Sequence, residues 1–184
     1  MDIQQECITA YRRHKNLKLA AVDIGIPWQK VYVHLRSAGE PVTGDKAAYG
    51  SDKDRLAARG EEIFASLVPF AHDQNKNRYQ SKIDFLVRGH GVDVKTSTLR
   101  LSNRACKQKR WAFSTKKQEL LADFMVCIGI GADNETLARL LLIPGEVIRK
   151  YATLSLSEAG SKWDDYSVSP DDLAQFFLDL PAKT

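Results

Sequence analysis

The chain has 184 residues, enough for one sizeable domain or for a small module joined to a medium one. Hydrophobic residues make up 43% and charged residues 27%, which is ordinary for a soluble globular protein. The formal net charge of +4 permits a nucleic-acid partner without requiring one.

The cysteines and the apolar stretches exclude several classes of protein. Three cysteines are too few and too scattered for a disulfide framework, and no paired cysteine or histidine spacing indicates a zinc site. The chain opens without an apolar segment resembling a signal peptide. Its most apolar stretch, 120–130, is interrupted by Asp123 and is too short to span a bilayer. We therefore expect an intracellular, cytoplasmic protein with reduced thiols and no membrane partner.

The first 39 residues predict three helices. Apolar residues recur at helical spacing from Ile3, a second short helix covers 17–23, and a third begins at Pro27 and ends at Gly39. Residues 40–51 are rich in turn formers and carry no apolar period, so we interpret them as a linker.

Within this N-terminal module, 1–39, the pattern resembles a helix-turn-helix of the Fis-like kind. Ala21 is small where two helices approach closely, Gly25 can take the left-handed conformation of the turn, and Val31 packs the third helix inward with Leu35. The outward face of that helix can address base edges and phosphates in a major groove. This predicted DNA-binding face consists of Trp28, Gln29, Lys30, Val33 and Arg36. The alternative is a three-helix interaction or packing module, and Trp28 could equally be a core residue.

From residue 52 onward the pattern predicts a second domain, 52–184. A helix runs over 52–68, and strands follow at 82–87, 92–96, 111–114, 124–130, 137–143 and 152–156. Short helices are expected over 116–122 and 170–178. A helix followed by a mostly sequential sheet with added helices predicts an α/β or α+β fold.

The segment 88–91 is a strong hairpin signal between the first two strands. If the hairpin folds about the middle of this segment, Asp84 lies opposite Lys95. Because side chains alternate between the faces of a strand, Asp84, Asp93 and Lys95 then project to one side. The residues that alternate with them are apolar, which places the core behind; they are Ile83, Phe85, Val92 and Val94.

Two adjacent carboxylates repel each other and are best explained by a cation between them. Oxygen ligands of this kind suit Mg²⁺, with Mn²⁺ as a substitute. Such an ion polarises a phosphoryl oxygen and activates a bound water. Lys95 can hold or deprotonate that water, or stabilise charge on the phosphate. The alternative is a surface hairpin with an ordinary cross-strand ion pair.

The order Ile83-Asp84, eight residues, then 93–95 (Asp-Val-Lys) resembles the signature of the PD-(D/E)XK nuclease superfamily, with isoleucine in place of the name-giving proline. The resemblance covers about residues 52–156, and intron-associated homing endonucleases of prokaryotes and phages are the members this chain is most similar to. It implies a restriction-endonuclease-like mixed sheet flanked by helices.

The resemblance also implies a glutamate from the helix before the first strand as a catalytic residue and metal ligand. Helical spacing favours Glu61 for this role, with Glu62 as the alternative. Polar residues after the motif lysine contact phosphate or water in similar nucleases, and Thr96, Ser97 and Thr98 are available here, although strand-forming residues need no such role.

A basic run follows the hairpin. Between Lys95 and Lys117 the chain has eight basic residues and no acidic one. Most charge runs are solvated faces, but one beside a phosphodiesterase centre favours a track for the DNA backbone. The predicted DNA contacts in this run are Arg100, Arg104, Lys107, Lys109 and Arg110.

These patterns predict a metal-dependent, site-specific DNA endonuclease of homing or restriction type that acts on double-stranded DNA. One centre cuts one strand, so double-strand cleavage calls for a homodimer or a higher homo-oligomer. Two alternatives stay open: a resolvase of Holliday junctions, which would need no helix-turn-helix, and a DNA-binding regulator with an inactive nuclease fold.

Overall fold

The computed structural model describes residues 2–76, 83–101, 107–115 and 121–183. These residues form two compact units. The helical unit comprises 2–55 and 74–76, and the sheet unit comprises 56–73 and the described residues from 83 onward. Helices accompany a mixed five-stranded sheet and a smaller three-stranded sheet, so the predicted α+β class is confirmed.

The helical unit is built from short helices around a small core. They are α1 (Ile3–His14), α2 (Leu17–Ile24), α3 (Trp28–Ser37) and α4 (Lys46–Tyr49). The first three confirm the predicted helices. Tyr11 is fully buried at the centre of this core, among small and aliphatic side chains of α1, α2 and α3. Asn16 caps α2 by accepting hydrogen bonds from the backbone N–H groups of Lys18 and Leu19 at 2.9 and 3.2 Å.

The turn between α2 and α3 has the predicted geometry. Gly25 has φ +72°, and its N–H donates to the carbonyl oxygen of Ala21. This left-handed conformation strains any residue with a Cβ and therefore favours glycine. Ala21, Val31 and Leu35 are buried, as the spacing predicts.

Residues 40–51, interpreted from sequence as a linker, are instead packed on the helical unit. The Tyr11 hydroxyl accepts a hydrogen bond from the Gly44 N–H at 2.8 Å, and Arg12 pairs with Glu40 at 2.6 Å. Val42 packs against the core, and α4 occupies the end of the segment. The residues that make these contacts are irregularly spaced, so the sequence of the segment shows no hydrophobic periodicity.

The sheet unit contains most of the longer elements. Its helices are α5 (Asp52–Leu67, which enters this unit at Leu56), α6 (Gly145–Ile148) and α7 (Pro170–Asp179), with a 3-10 turn at Asp164–Tyr166. Its strands are β1 (His72–Asp73), β2 (Phe85–Val87), β3 (His90–Thr98), β4 (Arg100–Leu101), β5 (Lys109–Ser114), β6 (Phe124–Ile130), β7 (Leu137–Pro144) and β8 (Thr153–Ser157).

Two sheets share this unit. The first has the order β1-β2-β3-β6-β7, in which β3 and β6 are parallel and the other neighbours are antiparallel. The second is antiparallel, with the order β4-β5-β8. The expectation of a mostly sequential sheet is therefore wrong in part. Parallel neighbours require a crossover connection, and the chain between β3 and β6 supplies β4 and β5 to the second sheet.

The five-stranded sheet has a core on each face. On one face, Phe64 of α5 and Phe177 of α7 pack against valines of β2 and β3. On the other face, Met125 and Cys127 of β6 pack against Trp111 and the rest of the second sheet. Alternation along β3 directs Val92 and Val94 to the first core and Asp93 and Lys95 away from it.

The predicted and observed bounds of the remaining helices and strands differ mainly at the shortest elements. β2 is shorter than predicted, the other five strands lie within two residues of their predicted bounds, and α7 is confirmed. The helix predicted over 116–122 falls largely outside the described residues, and 121–122 are not helical. The two-residue strands β1 and β4 are too short for a periodic pattern. In the part of the chain that the structure describes, no helix is both long and apolar enough to cross a membrane.

Candidate active site

The β2–β3 hairpin turns one residue earlier than predicted. Its ladder pairs Phe85 with Val92 and Val87 with His90, so the turn residues are Arg88 and Gly89. Both have positive φ, +51° and +86°, as the tightest hairpin turns require. This corrects the predicted register by two residues.

The corrected register ends the paired part of β2 at Phe85, opposite Val92. Asp84 precedes β2 in a bend, so strand alternation does not decide which way its side chain points. Asp84 is nevertheless close enough to Asp93 to raise the pKa of that carboxyl. Along β3 itself, alternation places Asp93 and Lys95 on one side of the sheet, as predicted.

Asp84 lies where β2 and β3 separate. β2 pairs only with the first residues of β3, up to Val92, so its backbone cannot reach the Val94 N–H. The Asp84 carboxylate accepts a hydrogen bond from that N–H at 2.8 Å, while its own N–H donates to the Val92 carbonyl at 3.1 Å. A side-chain oxygen thus takes the place of a strand neighbour and fixes the carboxylate beside β3.

Asp93 is a buried carboxylate with a lysine partner. Asp93 is 7% exposed, and its Oδ1 accepts a hydrogen bond from Lys95 Nζ at 2.7 Å. Burial raises the pKa of the Asp93 carboxyl to about 6, while Lys95 lowers it and the neighbouring Asp84 carboxylate raises it. An acid that is buried, paired and next to a second carboxylate is typical of functional sites.

The apolar face behind the site is mostly as predicted. Phe85, Val92 and Val94 are buried in the core that includes α5 and α7. Ile83 is half-buried and lies beside Gly91, where an added Cβ would meet its Cδ1 at 2.9 Å. Alternation fails at Ile83 because it precedes the strand, in a bend.

The glutamates of α5, Glu61 and Glu62, do not form a metal-binding cluster with other described residues. Glu61 is half-buried and Glu62 is exposed, which agrees with the preference for Glu61. Gly60, just before it, meets Thr96 so closely that an added Cβ would lie 1.7 Å from the Thr96 hydroxyl oxygen. Within the described ranges, no three histidine, cysteine or acidic side chains form a group that could hold a metal ion. The role of Glu61 stays a prediction.

The paired carboxylates fit Mg²⁺ by their chemistry. Mg²⁺ in enzymes is commonly held by one or two carboxylates, with water and substrate phosphate as its other ligands. Asp84 and Asp93 supply two such groups; burial is the main cause of the raised pKa of Asp93, and repulsion from the Asp84 carboxylate adds to it. A divalent cation between them would relieve that repulsion. These two carboxylates would be the ligands of such an ion, with Glu61 as the predicted third.

The polar residues after Lys95 have structural partners. Ser97 is buried, and its hydroxyl oxygen accepts a hydrogen bond from the Ala112 N–H at 3.0 Å, which ties β3 to β5. Thr96 faces α5, and its hydroxyl oxygen is buried without a hydrogen-bond partner among the described residues. These contacts favour packing over phosphate binding for both residues.

The predicted DNA-binding residues are largely solvent-exposed. On α3, Trp28 is 43% and Val33 59% exposed, and the outward set is completed by the exposed Gln29, Lys30 and Arg36. Trp28 is therefore not a core residue. Sequence analysis missed Tyr32, exposed one turn after Trp28, which helical spacing from Trp28 could have indicated.

The basic run contributes to the second sheet. Arg100 of β4 lies directly opposite Arg110 of β5, and Lys107 and Lys109 are exposed nearby. Like charges directly opposite one another repel, so this part of the second sheet is electropositive. Arg104, also predicted to contact DNA, lies outside the described residues.

A second ion pair at the hairpin was also missed. Asp123 Oδ2 accepts a hydrogen bond from the Gly91 N–H at 2.9 Å, and its Oδ1 accepts one from Lys183 Nζ at 2.8 Å. Asp123 and Lys183 are 60 positions apart in the sequence, so no local pattern could have revealed this ion pair.

Comparison with known proteins adds no assignment. No protein-family model matches this chain, and no curated protein matches it significantly.

Proposed function

We propose that this protein is a metal-dependent DNA endonuclease whose active site is formed by Asp84, Asp93 and Lys95. The observation that carries the proposal is their arrangement where β2 and β3 separate. A buried carboxylate is held by a lysine 2.7 Å away, and a second carboxylate is fixed beside it by the Val94 N–H. Oxygen ligands beside an ammonium group suit hydrolysis of a phosphodiester.

Each residue has a distinct role in this proposal. Asp84 and Asp93 would hold the cation, and Glu61 is the predicted third ligand. A divalent cation held there would supply positive charge that polarises a phosphoryl oxygen and activates water. Lys95 keeps Asp93 oriented in the resting protein, and its ammonium, 30% exposed, stabilises negative charge that develops on the phosphate.

The choice of double-stranded DNA rests on two exposed surfaces. The outward side chains of α3 follow a turn in which Gly25 adopts the left-handed conformation of a helix-turn-helix. The arginine pair of β4 and β5 supplies positive charge in the unit that carries the carboxylates. Site-specific cutting, by analogy with homing and restriction enzymes, follows if the α3 surface selects the sequence.

The test is cleavage of plasmid DNA by purified protein in Mg²⁺, with Mn²⁺ as a second cation. We expect wild type to convert supercoiled plasmid to nicked or linear forms. Asp93→Ala and Lys95→Ala should lose the activity, since one removes a cation ligand and the other a charge-stabilising group. Glu61→Gln and Glu62→Gln tell the two helix glutamates apart.

The chain offers a matched control in its second ion pair. Lys183→Ala breaks the 2.8 Å bond to Asp123 in the same unit without touching the carboxylate pair, and it should leave cleavage unchanged. An intact plasmid across both cations and varied sequences contradicts the proposal, as does normal cutting by both active-site variants.

Linear double-strand breaks further imply that two active sites act together. Homodimers are the usual arrangement for this, because a two-fold axis places one centre on each strand. Light scattering of the protein alone and in complex with a DNA duplex that it cleaves measures the number of subunits.

A further inference from the structure

An open groove lies within the helical unit, bordered by the α1–α2 junction, α3 and the segment after Pro41. Its volume is about 980 Å³. Its lining includes four cationic side chains and two exposed tyrosines: Lys15, Lys18, Arg36, Lys46, Tyr32 and Tyr49. Apart from Arg36, none of them belongs to the predicted DNA-binding face of α3.

The groove carries a net positive charge because its four cationic side chains outnumber its two carboxylates. Asp45 Oδ1 accepts a hydrogen bond from the Ala48 N–H at 2.9 Å, where it caps α4. Asp54 Oδ2 accepts hydrogen bonds from the Ser51 N–H at 2.9 Å and from the Ser51 hydroxyl at 2.7 Å. Four cations against these two carboxylates leave a formal charge of +2, which favours an anionic ligand.

The tyrosines indicate what the anion carries. Tyr32 is 42% and Tyr49 51% exposed, so both rings offer a face for stacking by a ligand in the groove. Aromatic rings interleaved with cations are the arrangement that binds single-stranded nucleic acid, because bases stack on the rings while phosphates meet the cations. The volume lies at the upper end for ligand pockets, which leaves room for more than one such group.

We propose that this groove binds a short segment of single-stranded DNA. A duplex is the poorer ligand here, because its bases stack on one another and offer no free face to a tyrosine. The site is separate from the carboxylate pair of the sheet unit, so the inference does not depend on the proposed cleavage chemistry.

The test is fluorescence anisotropy of a labelled oligothymidylate with the full chain, in EDTA to prevent cleavage. Wild type should bind, and Tyr49→Ser should weaken binding at least about fivefold through the loss of base stacking. Tyr49→Phe keeps the ring and should bind like wild type. Lys18→Ala should weaken binding and lower the slope of log affinity against log salt by about 0.7.

Matched controls come from the same unit. Val22→Ser removes an 80% exposed apolar side chain outside the groove, and Lys53→Ala removes an exposed lysine outside it; neither should change the affinity. Circular dichroism verifies that each variant is folded.

Three results overturn the proposal: no binding by wild type, wild-type affinity in both Tyr49→Ser and Lys18→Ala, or an equal loss of duplex affinity in these variants. The last result would assign the groove to the backbone of duplex DNA. Asp93→Ala should bind the oligonucleotide normally, so failure of this site and failure of the nuclease are distinguishable.

Discussion

The carboxylate of Asp84 accepts a hydrogen bond from the backbone N–H of Val94 at 2.8 Å, in the place where a neighbouring strand would supply a carbonyl. This bond helps to hold one acidic side chain near another, Asp93, which is buried and paired with Lys95. Because the pairing of β2 ends at Phe85, the Val94 N–H has no strand carbonyl to bond to, and a side-chain oxygen of Asp84 accepts its hydrogen bond instead.

The stability of the protein should depend on pH through Asp93. The folded protein holds the Asp93 pKa at about 6, above the ordinary value of 3.8, so folding favours the neutral acid. The resulting stabilisation is complete below the ordinary value and is lost as pH rises through 6. Asp93→Asn stays neutral, so its free energy of unfolding relative to wild type should rise between pH 4 and 7, on the order of 1–3 kcal/mol. Urea unfolding over this range measures the difference.

Asp123→Asn serves as a control of opposite sign. Burial alone would raise the pKa of Asp123, but hydrogen bonds from Lys183 and the Gly91 N–H hold it below its usual range. Its contribution is present above the ordinary value and is lost as pH falls. The stability of this variant relative to wild type should therefore fall with rising pH. Parallel slopes for the two variants would contradict the assigned environments.

Divalent cations should stabilise the protein through the Asp84–Asp93 pair. Binding to the folded state alone raises the melting temperature, and protons compete for the same carboxylates. We expect a Mg²⁺- or Mn²⁺-dependent rise in melting temperature that is larger above pH 6 than below it. Asp84→Asn retains an oxygen for the Val94 N–H but loses the charge, so it should fold and lose the effect. Calorimetric scans with and without cation measure this, and an undiminished shift in Asp84→Asn would rule out the pair as the site.

Gly60 should be irreplaceable for a steric reason. A Cβ at this position would lie 1.7 Å from the Thr96 hydroxyl oxygen and 2.9 Å from its Cβ. Gly60→Ala should therefore destabilise the protein by about 1–3 kcal/mol, the usual range for overpacking. Gly60→Ala combined with Thr96→Ala removes the nearer atom and should recover part of the loss. Denaturant titration of the single and double variants tests this, and an additive further loss in the double variant would contradict it.

The arginine pair on β4 and β5 should act on DNA through charge alone. Arg110→Ala is expected to weaken binding to duplexes of any sequence and to lower the salt slope of the affinity by about one. The variant should not be less stable, because removing one of two opposed like charges relieves repulsion. Lys150→Ala, at an exposed lysine outside the basic run, is the control. A loss restricted to one DNA sequence would instead assign Arg110 to base contacts.

The sequence was sufficient for features that rest on local patterns. The turn at Gly25, the buried Val31 and Leu35, and most strands follow from periodicity and from the conformational freedom of glycine. The common side of Asp93 and Lys95 also followed from alternation along β3, which is insensitive to a two-residue shift in register. The position of Asp84 did not follow from alternation, because this residue precedes β2 in a bend.

Structural features that depend on residues far apart in the chain could not be predicted from sequence patterns. The hairpin register depends on whether Arg88 accepts a positive φ, which a long side chain adopts only when the tertiary structure rewards it. The parallel pairing of β3 with β6 joins residues about thirty positions apart, and the Asp123–Lys183 pair joins residues 60 apart. The packed segment at 40–51 looked like a linker because its contacts pass through isolated residues such as Tyr11 and Gly44.

The most direct test of the central proposal is the single-turnover rate of DNA cleavage as a function of Mg²⁺ concentration. Wild type should show a saturable dependence on the cation, and Asp84→Asn and Asp93→Asn should cut at least about a hundredfold more slowly, as expected when a charged group at a catalytic centre is removed. Lys183→Ala should match wild type. Cleavage that is independent of Mg²⁺, or wild-type rates in both carboxylate variants, would contradict the proposal that this pair is the catalytic cation site.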